Sequence, residues 1–233
     1  MAERYLRLDP DKLRETLDRL AARLRERFPD ADLGEVAATL LRVADGAVAR
    51  LAAIRRPSLL LRAVSALLTL ALVAMPVWVW QLWRIKPDAD ISWSDLVQGV
   101  ESAISAVVFL GAALVFALSL ERRLKRRRAL LAIEELRALA HIVDLHQLSK
   151  DPDAVGTPGQ TMTRFDVSRY LDFCSEMLAL TSKLGALYAQ GLPDAQVLEA
   201  VDGLERLVAG LSAKIWQKIT ILDLLARQAP REA

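Results

Sequence analysis

Few residues of this 233-residue chain have the types and spacings that do chemistry. Both histidines, His141 and His146, fall in one short stretch with Asp144 between them. Imidazole and carboxylate are metal ligands, but side chains five positions apart on a helix diverge by about 140°. No metal is therefore expected there. Glu134, Arg137, His141 and Asp144 are spaced 3-4-3 and read instead as a narrow polar stripe of salt-bridging or capping groups. That stripe is either the solvent face of its helix or a buried network. Titration of His141 against Asp144 is a lesser alternative. The lone cysteine, Cys174, sits on an apolar helical face and reads as packing. No Ser/His/Asp set, HExxH, Walker loop or CxxC is present. Neither enzymatic activity nor a cofactor is expected.

Glu101 calls for a different chemistry. It lies near one end of a long apolar stretch, where a carboxylate is costly unless hydrated or paired. On a helix Glu101, Ser105, Val108, Ala112 and Ser119 fall on one broad face. Several copies arranged around an axis would make Glu101, Ser105, Ala112 and Ser119 line a water-filled path, with an acidic ring at its outer mouth. The plainer reading leaves Glu101 in the headgroup zone beside Asp95.

The basic run from Glu121 to Arg128, ERRLKRRR, reads as a contact with anionic lipid headgroups through Arg122, Arg123, Lys125, Arg126, Arg127 and Arg128. Nucleic acid, whose phosphates also attract such clusters, is not expected, because the adjoining apolar segment already accounts for the charge.

The elements that must position these groups are long. Residues 63–80 and 103–120 carry no charge, and each is 18 residues. Extended to 59–83 and 96–120, both reach the roughly 20 residues that cross a hydrocarbon core. Four of the five tryptophans, Trp78, Trp80, Trp83 and Trp93, flank the connection at 84–95. Indole favours the headgroup level, so these four are expected to touch lipid headgroups. Nine basic residues stand at the two far ends of the segments, against Arg84 and Lys86 in the connection. The positive-inside rule then sets both termini in the cytoplasm of a cell, inner or plasma, membrane. Pro76 interrupts the first span and is expected to kink it. Gly99-x-x-x-Ala103, Ser102-x-x-x-Ala106 and Gly111 allow close helix approach.

The bulk numbers agree with a chain only partly in lipid. Hydrophobic residues make up 53%, mean hydropathy is +0.24, and charged residues still make up 26%. One cysteine excludes an intrachain disulfide. The opening residues hold no apolar stretch, so no cleaved signal peptide is expected. The excess of arginine over lysine fits a bacterial coding bias.

Outside the apolar segments the periodicity is helical. A first helix should open at Asp9-Pro10 with the stripe Leu13, Leu17, Leu20, Leu24 and Phe28. A second should open at Asp32, with Glu35 completing a capping box, and carry Leu33, Val36, Leu40, Val43, Ala47, Leu51 and Ile54. It should break near Pro57. Beyond the arginines one helix should run to about Ser149. Another covers about 166–190, with Val167, Tyr170, Leu171, Cys174, Met177, Leu178, Leu184 and Tyr188 on one face. The last covers about 194–227, where Val197, Val201, Leu204, Val208, Leu211 and Ile215 repeat 4-3-4-3-4, the spacing of a coiled-coil seam.

The expected protein is an all-α integral membrane protein. It has N-terminal cytoplasmic helices at 1–56, a two-span hairpin at 57–120 and a C-terminal cytoplasmic helical domain at 121–233. Its flanks join in one bundle. The expected role is an oligomeric, membrane-anchored interaction or scaffold module, with the bilayer, a second copy and a cytoplasmic protein as partners. A homo-oligomeric channel lined by the second span is the alternative. In arrangement alone, with no shared motif, the layout resembles two-span bacterial pore-forming effectors and small cation channels.

Overall fold

The computed structural model describes residues 7–56, 59–85, 93–150 and 162–228. Among them the chain is all-helical. Six helices follow in order: α1 (Pro10–Arg27), α2 (Leu33–Arg55), α3 (Leu59–Ile85), α4 (Trp93–Leu148), α5 (Arg164–Gly191) and α6 (Ala195–Gln228). They form two compact units. One joins Met1–Arg55 to Arg126–Ala233, and the other is Arg56–Lys125.

In the first unit the expected stripes become the core. All five stripe residues of α1, all seven of α2 and all eight of α5 are buried. Burying a leucine-sized side chain is worth about 1.5–3 kcal/mol relative to leaving it exposed. Exposed ion pairs such as Arg23–Glu176 and Arg206–Asp202 contribute about 0–1 kcal/mol each, so the core dominates. The heptad seam of α6 is also buried, and it continues through Ile219 and Leu222. It closes inside the chain, chiefly against α5, and so leaves no seam for a second copy. At the α5–α6 contact a Cβ on Gly185 would lie 2.7 Å from Leu204 Cδ2, so glycine permits the close approach.

The helix starts follow local chemistry. Asp9 caps α1 by accepting from the Asp11 N–H at 3.0 Å, with Pro10 next in line. At α2 the backbone carbonyl of Asp32 accepts from Glu35 and Val36. The reciprocal side-chain box expected there occurs instead at α5. Thr163 Oγ1 accepts from the Asp166 N–H at 3.1 Å, and Asp166 Oδ2 accepts from the Thr163 N–H at 3.3 Å. The helix therefore starts two residues earlier than its apolar stripe implies. Asp194 caps α6, accepting from the Gln196 N–H at 3.1 Å.

In the second unit, α3 runs through Pro76 without ending. The break near Pro57 and most of the 84–95 connection lie outside the described residues, as does the loop from 151 to 161. Among the described residues one helix is long and apolar enough to cross a membrane, Val97–Leu148 by that measure, with mean hydropathy 2.5 over its most apolar 18 residues. The first expected span corresponds to a shorter apolar stretch, Arg62–Val77. Both are largely exposed. Each carries one half-buried seam, Ser65, Leu68, Leu72 and Met75 on α3 and Ala103, Ala106, Leu110 and Leu114 on α4. Leu67, Leu70, Val73, Ile104, Phe109 and Phe116 face outward.

Candidate interaction surface

The part of α4 after Arg126 has two apolar faces. One, Ala129, Ala132, Ile133, Leu136, Leu139, Ala140 and Val143, is buried in the core. The opposite one stays open: Leu131 is 61% exposed, Ile142 41% and Leu145 66%. Together with Ala138 these positions are spaced 7-4-3. A helix apolar over most of its circumference is expected to be buried over most of it. Here it is not, because α2 and α6 hold only one side. Arg50 Nη2 of α2 pairs with Glu135 Oε2 at 3.3 Å. Lys218 Nζ of α6 donates to the carbonyls of Gln147 at 2.8 Å and Lys150 at 3.2 Å, capping the C-terminal end of α4. On the other side, among the described residues, Leu131 borders an open cleft beside α2, while Ile142 and Leu145 are exposed.

The stripe Glu134, Arg137, His141 and Asp144 borders this open face. It is a solvent face rather than a buried network. Glu134 and His141 are exposed, and Arg137 Nη1 pairs with Glu134 Oε1 at 2.9 Å. Asp144 Oδ1 accepts instead from Gln147 Nε2 at 2.7 Å. Gln147 is not among the residues that charge or spacing singles out. It is 1% exposed, and its Oε1 has no partner among the described residues. A polar residue in the last turn of a mostly apolar helix was the available signal.

His146 stands apart from His141. It lines a cavity of about 400 Å³ with Tyr170, Lys150 and Asp32. No group of three or more His, Cys, Asp or Glu side chains converges among the described residues. Cys174 is fully buried, and burial pushes its thiol up to about 12, which keeps it protonated and unreactive. Burial likewise raises the Tyr170 and Tyr188 hydroxyls.

The remaining site residues distribute as follows. Glu101, Ser105 and Ala112 are exposed on α4, and Ser119 is half-buried with its hydroxyl donating to the Phe116 carbonyl at 2.9 Å. Within one chain they face away from the half-buried seam and enclose no path. Trp78, Trp80 and Trp83 lie in α3 and Trp93 begins α4, where it is exposed. In the basic run Arg122, Arg123, Arg127 and Arg128 are exposed, while Lys125 pairs with Glu121 at 2.8 Å. Arg126 differs from its neighbours. Its Nε and Nη2 both donate to Asp194 Oδ2, at 2.9 and 2.7 Å, so this guanidinium holds the start of α6.

That pair has a pH signature. The Arg126 guanidinium, by hydrogen bond, holds the Asp194 carboxyl below the usual carboxylate range, and the Thr163 hydroxyl does the same for Asp166. A depressed folded value means that the unfolded chain binds the proton first as pH falls. The stability these groups add is present above an ordinary carboxylate value of about 3.9 and is lost as pH drops through the folded values. Asp194→Asn keeps the N-cap but removes the charge. Its melting temperature should therefore fall less steeply than that of the natural protein between about pH 5 and pH 3. Circular dichroism melts at several pH values check this, and parallel slopes would refute it.

Comparison with known proteins finds no match: no family model, no curated protein and no solved structure is similar enough to place the chain in a family.

Proposed function

We propose that this protein is a two-pass membrane protein with both termini in the cytoplasm, and that its helical domain is an interaction module. The domain associates with a second copy or a protein partner through the open face of α4. The observation that carries the reading is the exposure of Ala138, Ile142 and Leu145 opposite a fully packed face of the same helix. Contiguous exposed apolar surface on a folded domain marks an interaction site more often than an accident of composition.

Support for the anchor is of the same kind. The outward leucines, valines and phenylalanines of α3 and the first half of α4 are unfavourable in water and suited to lipid. The tryptophans at one end and the arginines at the other fit the two interfaces of a bilayer.

The test has two parts. Membranes from expressing cells are washed with alkaline carbonate, and the chain is expected to stay in the pellet. The protein purified in detergent is then weighed by light scattering, where a mass of two or more copies, or of a defined heterocomplex, is expected. Release by carbonate removes the anchor. A bare monomer that captures no partner removes the interaction module.

A further inference from the structure

The first unit contains an open cleft of about 410 Å³ between α2 and α4, lined by Arg50, Ala53, Arg128, Leu131, Ala132 and Glu135. We infer that this cleft is a headgroup site for an anionic diacyl phospholipid. The inference rests on the membrane anchor proposed above.

The volume falls in the range of small-ligand sites. Its lining is divided in the way a lipid headgroup requires. Two guanidiniums supply donors for a phosphodiester, and Arg is the residue suited to bidentate phosphate contact. Ala53, Leu131 and Ala132 offer an apolar wall for the glycerol and the first methylenes, which a free phosphate would not need.

Arg50 is held in place before any ligand arrives. Its Nε donates to the Tyr188 hydroxyl at 3.1 Å, and its Nη2 donates to the Val43 carbonyl at 3.2 Å and pairs with Glu135 at 3.3 Å. Among the described residues Nη1 makes no hydrogen bond, which leaves that end of the fork free. Arg128 is exposed and has no ion-pair partner among the described residues. Two positive groups and one carboxylate leave the cleft one charge short of neutrality, and a singly charged phosphodiester supplies it.

The cleft residues are also close in sequence to the apolar segments. Arg50 precedes the first residue of α3 by nine positions, and Arg128 follows Leu120 by eight. Basic pockets beside the cytoplasmic ends of spanning helices bind anionic headgroups for this reason.

The experiment uses the full chain in a neutral detergent, with phosphatidylglycerol and phosphatidylcholine added in equal amounts and the retained lipid read by native mass spectrometry. The natural protein should retain phosphatidylglycerol at least fivefold over phosphatidylcholine. Arg128→Gln should bring the ratio to within twofold of unity. Ala53→Phe, which fills the cleft without changing charge, should do the same. Glu135→Gln should raise the ratio at least threefold, and Arg206→Gln, on the exposed face of α6, should leave it within twofold of the natural value.

The assignment is overturned if Arg128→Gln or Ala53→Phe keeps the natural preference. Loss in Arg206→Gln overturns it too, since that would mean diffuse attraction. So does displacement of the lipid by equimolar glycerol 3-phosphate, which would mark a soluble phosphate site. Failure of the anchor shows separately as release by carbonate. A chain that stays in the pellet without lipid preference loses only the cleft.

Discussion

Replacing Tyr188 by alanine is expected to destabilise the helical domain by about 3–5 kcal/mol, the cost of deleting a large buried aromatic ring. Tyr188 is 1% exposed and is among the largest fully buried side chains. Tyr188 belongs to α5 and to the core, and its hydroxyl accepts from Arg50 Nε on α2. Alanine would open a cavity and strand the Arg50 donor together. Phenylalanine separates the two effects. Tyr188→Phe keeps the packing and removes one hydrogen bond, so its expected cost is about 0.5–1.5 kcal/mol. Urea unfolding of the full chain in a mild detergent, followed by circular dichroism, measures both. A loss below about 1 kcal/mol for the alanine variant would mean that α2, α4 and α5 do not share one cooperative core.

The second large effect concerns association rather than stability. Leu145→Asp puts a charge on the open α4 face. Because the side chain points to solvent, the fold should change by no more than about 0.5 kcal/mol. Binding across that face should weaken by 2 kcal/mol or more, the threshold of an interface hot spot, or roughly 30-fold in dissociation constant. Sedimentation equilibrium over a range of protein-to-detergent ratios reads the change. An unaltered oligomer would show that the face is not the contact. A melted domain would show instead that Leu145 is part of the core, contrary to its exposure. Ala138→Asp, on the same face, repeats the test at a second position.

The proposals for the two units also fail separately. Loss of association in Leu145→Asp leaves the anchor untouched, and a carbonate-extractable chain leaves the core of the first unit intact. In that core the leucines are buried by the helices of the unit itself.

Much of the architecture was legible in residue order. Periodicity named a buried stripe on each of α1, α2, α5 and α6, because a side chain's place on a helix is set by a 3.6-residue repeat that local sequence displays directly, but it missed the second buried row of α5, Phe173, Leu180 and Leu187. Asp9-Pro10 marked the start of α1 for an equally local reason. Thr163 and Asp166 also carried a readable cap signal, but the apolar stripe beginning at Val167 drew the boundary later than the hydrogen bonds do.

What residue order left open were choices between surfaces of equal hydrophobicity. The heptads of α6 suit a second copy or α5 equally well. Only packing against α5, with Gly185 opposite Leu204, assigns them inside the chain. On α4 both faces are apolar, and which one is covered depends on where α2 and α6 lie. Arg126 looks like its five basic neighbours in the run, yet it pairs with Asp194, 68 positions away. The cleft of Arg50 and Arg128 joins residues that lie far apart in sequence in the same way. Composition and spacing thus determined the helices and their apolar faces, since those depend on neighbours within a few turns. Tertiary structure alone decided which face is covered and which charges meet, because those depend on residues that sequence separates and folding brings together.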